Sequence, residues 1–398
     1  MKSTRILFIT TQLPYPPKSG GTIKSWNYVQ FLSQHYTLSI ASLLKDDDED
    51  HIESFQKAIH LENFESEKVQ VERTPLNLLK SYFLSPCLNV LRNYSNKFKS
   101  KLIPLLEKAD LVIVDHYEVF QYVPSDFTGK VIMHTHNAEF MLWQRMSELT
   151  NNPLKKLVLK VEAIRVKKYE KQLFSASDLV YSTPSDINLY RQHGFQVSKH
   201  ETTYHLGNDT MLKLPNLEFQ NTQKAITFIG TLSWEPNIDG ICWFIENCWN
   251  SIQRKHPECT LYILGKNPDE RILKSANNDS KIVFTGFVKN LDTYLQKTRV
   301  YIAPLRFGSG MKVKVLEGLY RGNPCVTTTV GAEGLELVNG ENIVIADNPS
   351  TFAEGCLELL ENEEKWEKFR NNIRKLAAEK YTWKALFAKM DEKLKELL

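Results

Sequence analysis

The sequence predicts an α/β protein of two doubly wound domains, and three observations carry that expectation. Short runs rich in Val, Ile and Leu alternate with long helical stretches, the pattern of parallel strands covered on both faces. The runs fall into two series, separated by a polar stretch with no strong period. The chain has 398 residues, more than one hydrophobic core usually serves, so two domains of roughly 150–200 residues each are expected.

The first series is Ile6–Ile9, Thr37–Ala41, Leu111–Val114, Val131–His134 and Asp178–Ser182. The run at Arg5–Thr10 is too short for a signal-peptide core and lacks a small-residue cleavage site, so it reads as a buried first strand. The second series is Ala225–Ile229, Cys259–Leu264, Lys281–Thr285, Val300–Pro304, Cys325–Thr328 and Asn342–Ile345. Turn residues at 205–209 and the polar stretch to Gln223 separate the two. The expected division is therefore an N-terminal domain at 1–208, a linker at 209–223 and a C-terminal domain at 224–380. A closing amphipathic helix at 381–398 carries Trp383, Leu386, Phe387 and Met390 as its apolar members.

Composition excludes several classes. Hydrophobic residues make up 42% and charged residues 24%, ordinary for a globular protein. A formal charge of +3 is too small for a nucleic-acid binder. Cys87, Cys242, Cys248, Cys259, Cys325 and Cys356 form no CxxC pair, so reduced thiols in the cytoplasm are expected. No run approaches the roughly 20 apolar residues of a membrane span, which leaves a soluble protein or one resting on a membrane surface.

Chemistry concentrates after the strand ending at Ala303. Gly308 and Gly310 allow close backbone approach to a ligand, and a helix expected to start near Met311 offers N–H groups and a positive dipole end to an anion. Lys312 or Lys314 adds a full charge; being two apart on a helix they should diverge, so one of them reaches the phosphates. Glu317, one and a half turns in, can accept two hydrogen bonds from a ribose diol. Gly322 and Pro324 end the helix. The plainer alternative is a glycine turn with a solvated lysine pair.

The segment 304–324, together with Phe228-Ile-Gly230-Thr-Leu-Ser-Trp234-Glu-Pro-Asn237 and Gly331-Ala-Glu333-Gly334-Leu335, resembles the donor site of glycosyltransferase family 4. In the family's Glu-x7-Glu pattern the second glutamate falls at Glu317 and binds the nucleotide ribose, whereas the first position holds Ser309. Trp234 and Asn237 stand where the family commonly has Arg and Lys after the glycine, which shifts the expected charge to Lys312. The resemblance implies the GT-B fold, with two Rossmann-like domains facing each other across a cleft and a C-terminal helix returning to the N-terminal domain. It also implies retaining, metal-independent transfer from a nucleoside-diphosphate sugar (UDP- or GDP-linked), without a cofactor, to a sugar or lipid-linked glycan acceptor in bacterial polysaccharide or glycoconjugate synthesis. Gly230, Gly286, Phe287, Val288, Gly308, Ser309, Gly310 and Met311 would line the donor site, with Trp234 either a ligand contact or a buried aromatic.

In the N-terminal domain Gly20 and Gly21 lie between the first strand and the first helix, again suited to an anion or sugar. Asp115 and His116 follow one strand, and His136, Asn137 and Glu139 follow the next, all at carboxyl ends where open α/β sheets bind ligands. By resemblance His116 contacts the transferred sugar. A zinc reading of His134 and His136 lacks a third ligand at useful spacing. The basic stretch 154–171 is either an interfacial helix that touches a membrane or an exposed helix whose stripe of Leu154, Leu157, Val158, Val161 and Ile164 packs on the core. Two rival functions stay open: a sugar-nucleotide epimerase or hydrolase on the same fold, and a catalytically silent binding subunit.

Overall fold

The computed structural model describes residues 4–398 except Ser19, Asp46, Arg73, Asn151, Ser309 and Gly310, and the backbone alone of Leu149. Two units divide the chain: Met1–Tyr204 with Lys389–Leu398, and His205–Ala388.

The first unit is built on a parallel sheet of β1 (Arg5–Thr10), β2 (Thr37–Leu44), β3 (Asn63–Lys68), β4 (Leu111–Asp115), β5 (Lys130–His134), β6 (Leu179–Ser182) and β7 (His200–Thr202), in the order β3-β2-β1-β4-β5-β6-β7. The central strands are apolar and fully covered: Leu7, Ile9, Val112 and Val114 belong to one buried cluster. The two strands that sequence reading did not anticipate, β3 and β7, are the edges. Edge strands carry polar residues against solvent, so Asn63-Phe-Glu-Ser-Glu-Lys68 gives no apolar run, and β7 has three residues.

The second unit repeats the design with β8 (Gln223–Ile229), β9 (Thr260–Leu264), β10 (Ile282–Gly286), β11 (Thr298–Ala303), β12 (Cys325–Thr327) and β13 (Val344–Ile345), in the parallel order β10-β9-β8-β11-β12-β13. Both sheets therefore reverse direction once, between β1 and β4 and between β8 and β11. That reversal leaves a crevice at the carboxyl ends of the central strands.

Eight helices frame these crevices and the surface beside them: α1 (Gly20–His35), α2 (Pro75–Leu84), α3 (Glu139–Leu149), α4 (Pro153–Ala176), α5 (Glu235–Phe244), α6 (Val313–Arg321), α7 (Glu363–Lys380) and α8 (Trp383–Leu397). Thr74 and Asn152 cap α2 and α4 by accepting the N–H groups of Asn77 and Lys155, and a proline follows each cap. Gly322, at φ 87°, closes α6 in the left-handed conformation that glycine adopts without strain.

Two expectations need correction and a third is met. The stretch 209–223 is no free linker. It belongs to the second unit, and arginines from the folded body satisfy its carbonyls. On α7, Arg374 donates to Leu212 and Leu214 and Arg370 to Leu217, while Arg299 of β11 donates to Phe219 and Thr222. The closing helix, which starts at Trp383, returns to the first unit as expected: its residues from Lys389 onward count with that unit, where Asp391 accepts from the Tyr36 hydroxyl at 2.7 Å. Of the two readings of 154–171, the one that packs the whole stripe on the core is not met: Leu154, Leu157 and Ile164 are exposed and Val158 and Val161 half-buried, while Leu159, Ala163, Val166 and Leu173 are buried. The period misleads because two glutamates share the inner face. Glu162 accepts the N–H of Leu88 and pairs with Arg165, and Glu170 accepts the N–H groups of Glu139 and Phe140 at the start of α3.

The seat of α6 is set by one glycine. A Cβ on Gly318 would stand 2.8 Å from the ring of Tyr301, a fully buried side chain whose hydroxyl donates to the carbonyl of Lys314. Alanine improves helix propensity by roughly 1 kcal/mol, but overpacking costs about 1–3 kcal/mol. Gly318→Ala should therefore lower the urea midpoint, and a midpoint equal to or above that of the parent would refute this account of the packing.

Candidate active site

In the first unit the crevice floor is a buried carboxylate. Asp115 ends β4 in register with Thr10, which ends β1. Its Oδ2 accepts from Thr10 Oγ1 at 3.0 Å and from Ser25 Oγ of α1 at 2.7 Å. Its Oδ1 lies 2.7 Å from His134 Nδ1 and 2.7 Å from His136 Nε2. Burial alone would raise this carboxyl; His136 and His116 beside it and the hydrogen bonds from His134 and His136 overcome that and hold it well below the ordinary range.

The imidazoles respond in the opposite sense. Burial pushes His116 down to about 3 and His134 and His136 down to about 4, so all three are neutral near pH 7. His116 is the most accessible, with 19% of its side chain exposed. Its φ of 85° is unusual for a residue with a Cβ, a local strain of about 1–3 kcal/mol. That turn lays its ring on His136, with centroids 3.8 Å apart. A neutral imidazole carries one donor and one acceptor, which suits a sugar hydroxyl.

Gly21 completes the wall: a Cβ there would stand 3.6 Å from His136 Nδ1, whereas one on Gly20 would meet nothing. Asn137 is exposed, and Glu139 opens α3, its carboxyl raised well above the ordinary range by burial and by Glu118 and Glu170. Lys24 escaped sequence reading. It is 1% exposed, donates to the carbonyl of Thr135 at 3.1 Å, and burial lowers its amine to about 7. Its spacing of four from the buried Tyr28 was the available signal that it faces inward.

The third ligand that the zinc reading lacked comes from Asp115: its carboxylate and the ring nitrogens of His134 and His136 lie within 4.8 Å of one another, the one such group among the described residues. Their 2.7 Å separations are those of charge-assisted hydrogen bonds.

In the second unit the crevice is edged by glycine. Gly230 follows β8, Gly265 follows β9 and Gly286 ends β10. The Gly265 N–H donates to the Gly286 carbonyl, and a Cβ on Gly265 would strike the Gly230 carbonyl at 2.2 Å. Gly265 was not anticipated, although a glycine immediately after a strand was its signal. A Cβ on Gly230 would stand 2.8 Å from Asn237 Nδ2, which donates to the carbonyl of Thr231. Beyond Gly286, Phe287 is 76% exposed and Val288 partly buried. Trp234 is 49% exposed, which overturns its reading as a buried aromatic.

The helix after β11 starts at Val313, not near Met311. Lys312 is its N-cap residue in extended conformation, so the argument that two helical lysines must diverge does not apply. Lys312 Nζ lies 3.4 Å from Glu333, beside Gly308 at φ 127°. Met311 packs under Gly334, and Ser309 and Gly310 lie outside the described residues. Lys314 turns toward β8, donating to Asn237 Oδ1, with its amine 5.6 Å from the ring centroid of Trp234. Burial and then Lys312 lower Lys314 to about 7. Burial raises Glu317, one turn further, to about 7 against the pull of Lys314.

Two parallel Rossmann-like sheets with these crevices find their counterparts among solved structures. Anabaena Alr3699/HepE in complex with UDP and glucose matches at a TM-score of 0.65 and 11% identity, over 99% of this chain and 100% of that one. The apo form of the lipopolysaccharide outer core galactosyltransferase WaaB matches at 0.67 and 11%, over 99% and 100%. The fold is GT-B. Within it, residues 223–362 match the family model of glycosyl transferases group 1, the stretch that holds Gly230, Lys312, Lys314 and Glu317. An uncharacterized 44.6 kDa protein in the cps region of Klebsiella pneumoniae is 22% identical over 96% of this chain and 98% of its own length.

The Asp115 network makes two measurable claims. Asp115→Ala strips four donors of their common acceptor and should destabilise the protein by about 3–5 kcal/mol in chemical denaturation. Because burial depresses the three imidazoles, their ring NMR signals should keep neutral-form shifts from pH 8 to about pH 5 and move only below that. Titration of His134 or His136 near 6.5 would refute the network.

Proposed function

We propose that this chain is a retaining glycosyltransferase of the family 4 type that moves a sugar from a nucleoside-diphosphate sugar to a hydroxyl acceptor. The observation that carries the reading is the pair Lys312 and Lys314, set at the start of α6 and beside the Gly230 turn, with Glu317 one turn further along. The group 1 match over 223–362 supports it, as do fold neighbours whose crystals hold UDP with glucose or UDP-glucose.

The donor diphosphate takes the helix N-terminus, with Lys312 and Lys314 supplying charge where the family commonly has Arg and Lys after the first glycine. Lys314 thereby occupies the neighbourhood of that missing pair, so the burden assigned to Lys312 alone is shared. Glu317 accepts the ribose hydroxyls, and the glycine edge at Gly230 and Gly286, with Phe287 and Val288, receives the nucleobase. Gly308 and Met311 border the phosphates, and by the family pattern Ser309 and Gly310 would contact the donor as well. As the bond from the anomeric carbon to the diphosphate oxygen breaks, the acceptor oxygen bonds to that carbon on the same face. The acceptor's proton passes to the departing phosphate. The lysines stabilise the charge that develops there, without a divalent ion or other cofactor.

On the first unit, His116 holds the transferred sugar through a hydroxyl, with Asp115 and His136 fixing its ring. Gly20, Gly21, Asn137 and Glu139 contact the acceptor. On this reading the chain works on the cytoplasmic side, with a UDP- or GDP-sugar as donor and a glycan, free or lipid-linked, as acceptor; a role in bacterial polysaccharide assembly is supported by the relative in the cps region.

Lys312→Ala and Lys314→Ala should each weaken nucleoside-diphosphate binding by about 10- to 100-fold in calorimetry, the size of one charge-assisted hydrogen bond. Unchanged binding in both would end the transferase reading, and release of an epimerised free sugar without acceptor would put an epimerase in its place. The pH dependence has a defined sign. Lys314 is cationic below about 7 and loses its charge above it, so affinity for UDP should fall from pH 7 to pH 9 by up to about tenfold per unit. Lys314→Met should flatten that profile. Turnover that persists in excess chelator checks the metal-free mechanism.

A further inference from the structure

Away from both crevices, the first unit carries an apolar face that the described residues leave uncovered. On α2, Leu76, Leu79 and Phe83 are 60%, 57% and 81% exposed, and their spacing of three and four places them on one side of the helix. On α4, Leu154, Leu157 and Ile164 are 71%, 59% and 68% exposed, again at intervals that share a face. The two helices are fixed side by side by Arg165. It donates to the carbonyls of Ser81 and Ser85, pairs with the buried Glu162, and lies over the Tyr82 ring at 4.2 Å. Between them and α3 runs an apolar groove of about 940 Å³, lined by Leu78, Trp143, Met146, Leu154, Val158 and Leu159 among others.

Exposed apolar residues in such number mark an interaction surface, because an isolated soluble protein rarely shows a large contiguous patch. Charge selects the partner. At 3.6 residues per turn, Lys160, Lys168 and Lys171 fall within about 60° of Leu157 around α4. The helix has only two acidic residues, Glu162 and Glu170, and both are buried. The outward face of α4 is therefore apolar and basic with no acid. An interleaved surface of this kind sinks its apolar side chains past the headgroups while its lysines meet anionic lipid phosphates.

We infer that α2 and the outward face of α4 seat the protein on an anionic bilayer. The inference is independent of the transferase reading, since docking needs neither donor nor acceptor, and each can fail alone.

The test is co-sedimentation of the full chain with phosphatidylcholine vesicles, pure or mixed equally with phosphatidylglycerol. Binding should be at least about tenfold tighter to the mixed vesicles, as expected for three lysines near a charged surface. It should weaken as salt rises from about 0.1 M to 1 M and the screening length falls from about 10 Å to 3 Å. The variant Leu79→Glu/Phe83→Glu/Leu157→Glu should lose at least about tenfold in vesicle binding with an unchanged melting temperature and unchanged affinity for UDP. Lys160→Glu/Lys168→Glu/Lys171→Glu, which alters no apolar side chain, should lose the preference for phosphatidylglycerol. Sedimentation with neither vesicle, equal binding to both, or full binding by the first variant would overturn the inference. So would light scattering that shows a dimer in the parent and a monomer in the first variant with no vesicle binding in either, because the face would then belong to a second copy of the chain.

Discussion

Parallel pairing of strands that are not neighbours in sequence, β1 with β4 and β8 with β11, is the constraint on which the rest of the structure depends. Each pairing forces the chain to cross the sheet and return on its other side, so the loops on either side of the junction leave in opposite directions. At the gap left there, strand ends, helix starts and short loops converge. Thr10, Asp115 and Gly21 meet at the first such gap; Gly230, Asn237 and Lys314 meet at the second.

The two gaps are furnished differently. The first is sealed by a polar cluster almost closed to solvent: a carboxylate that stays ionised because four donors surround it, and imidazoles that stay neutral because burial outweighs the carboxylate's pull. Such a cluster is stiff, since moving any member leaves a buried group unsatisfied. The second is more open, with Trp234 half exposed beside Lys314 and Phe287 exposed beyond the end of β10. Its lysine and glutamate, Lys314 and Glu317, lie closer to neutrality than their free counterparts. The first arrangement positions; the second can respond to an incoming charge.

Local chemistry was legible in the sequence, and convergence over long distances was not. The central strands announced themselves as apolar runs because they are buried on both faces. The edges β3 and β7 did not, because half of each belongs to solvent. The glycine loop before α6 and Glu317 within that helix were readable from spacing, whereas the extended backbone of Lys312, which frees it from the divergence of two helical lysines, follows from a helix that begins two residues later than expected. Asp115 was readable as a residue at a strand end. Its partners Thr10, Ser25 and His134 come from β1, α1 and β5, and only the folded sheet brings them together. On α4 the apolar period was real but pointed outward, because buried glutamates hold the inner face by capping neighbouring helix starts.

The glycine row formed by Gly230, Gly265 and Gly286 has a consequence for how such a protein changes over time. A surface that presents only backbone at the ends of three adjacent strands can offer a ligand little but its shape and the amide groups that every sequence possesses. Substitutions around it can accumulate without rewriting what it reads, provided the three positions keep room for close approach. The outline itself recurs in a chain of 11% identity, so the path of the backbone does not depend on most of the individual side chains.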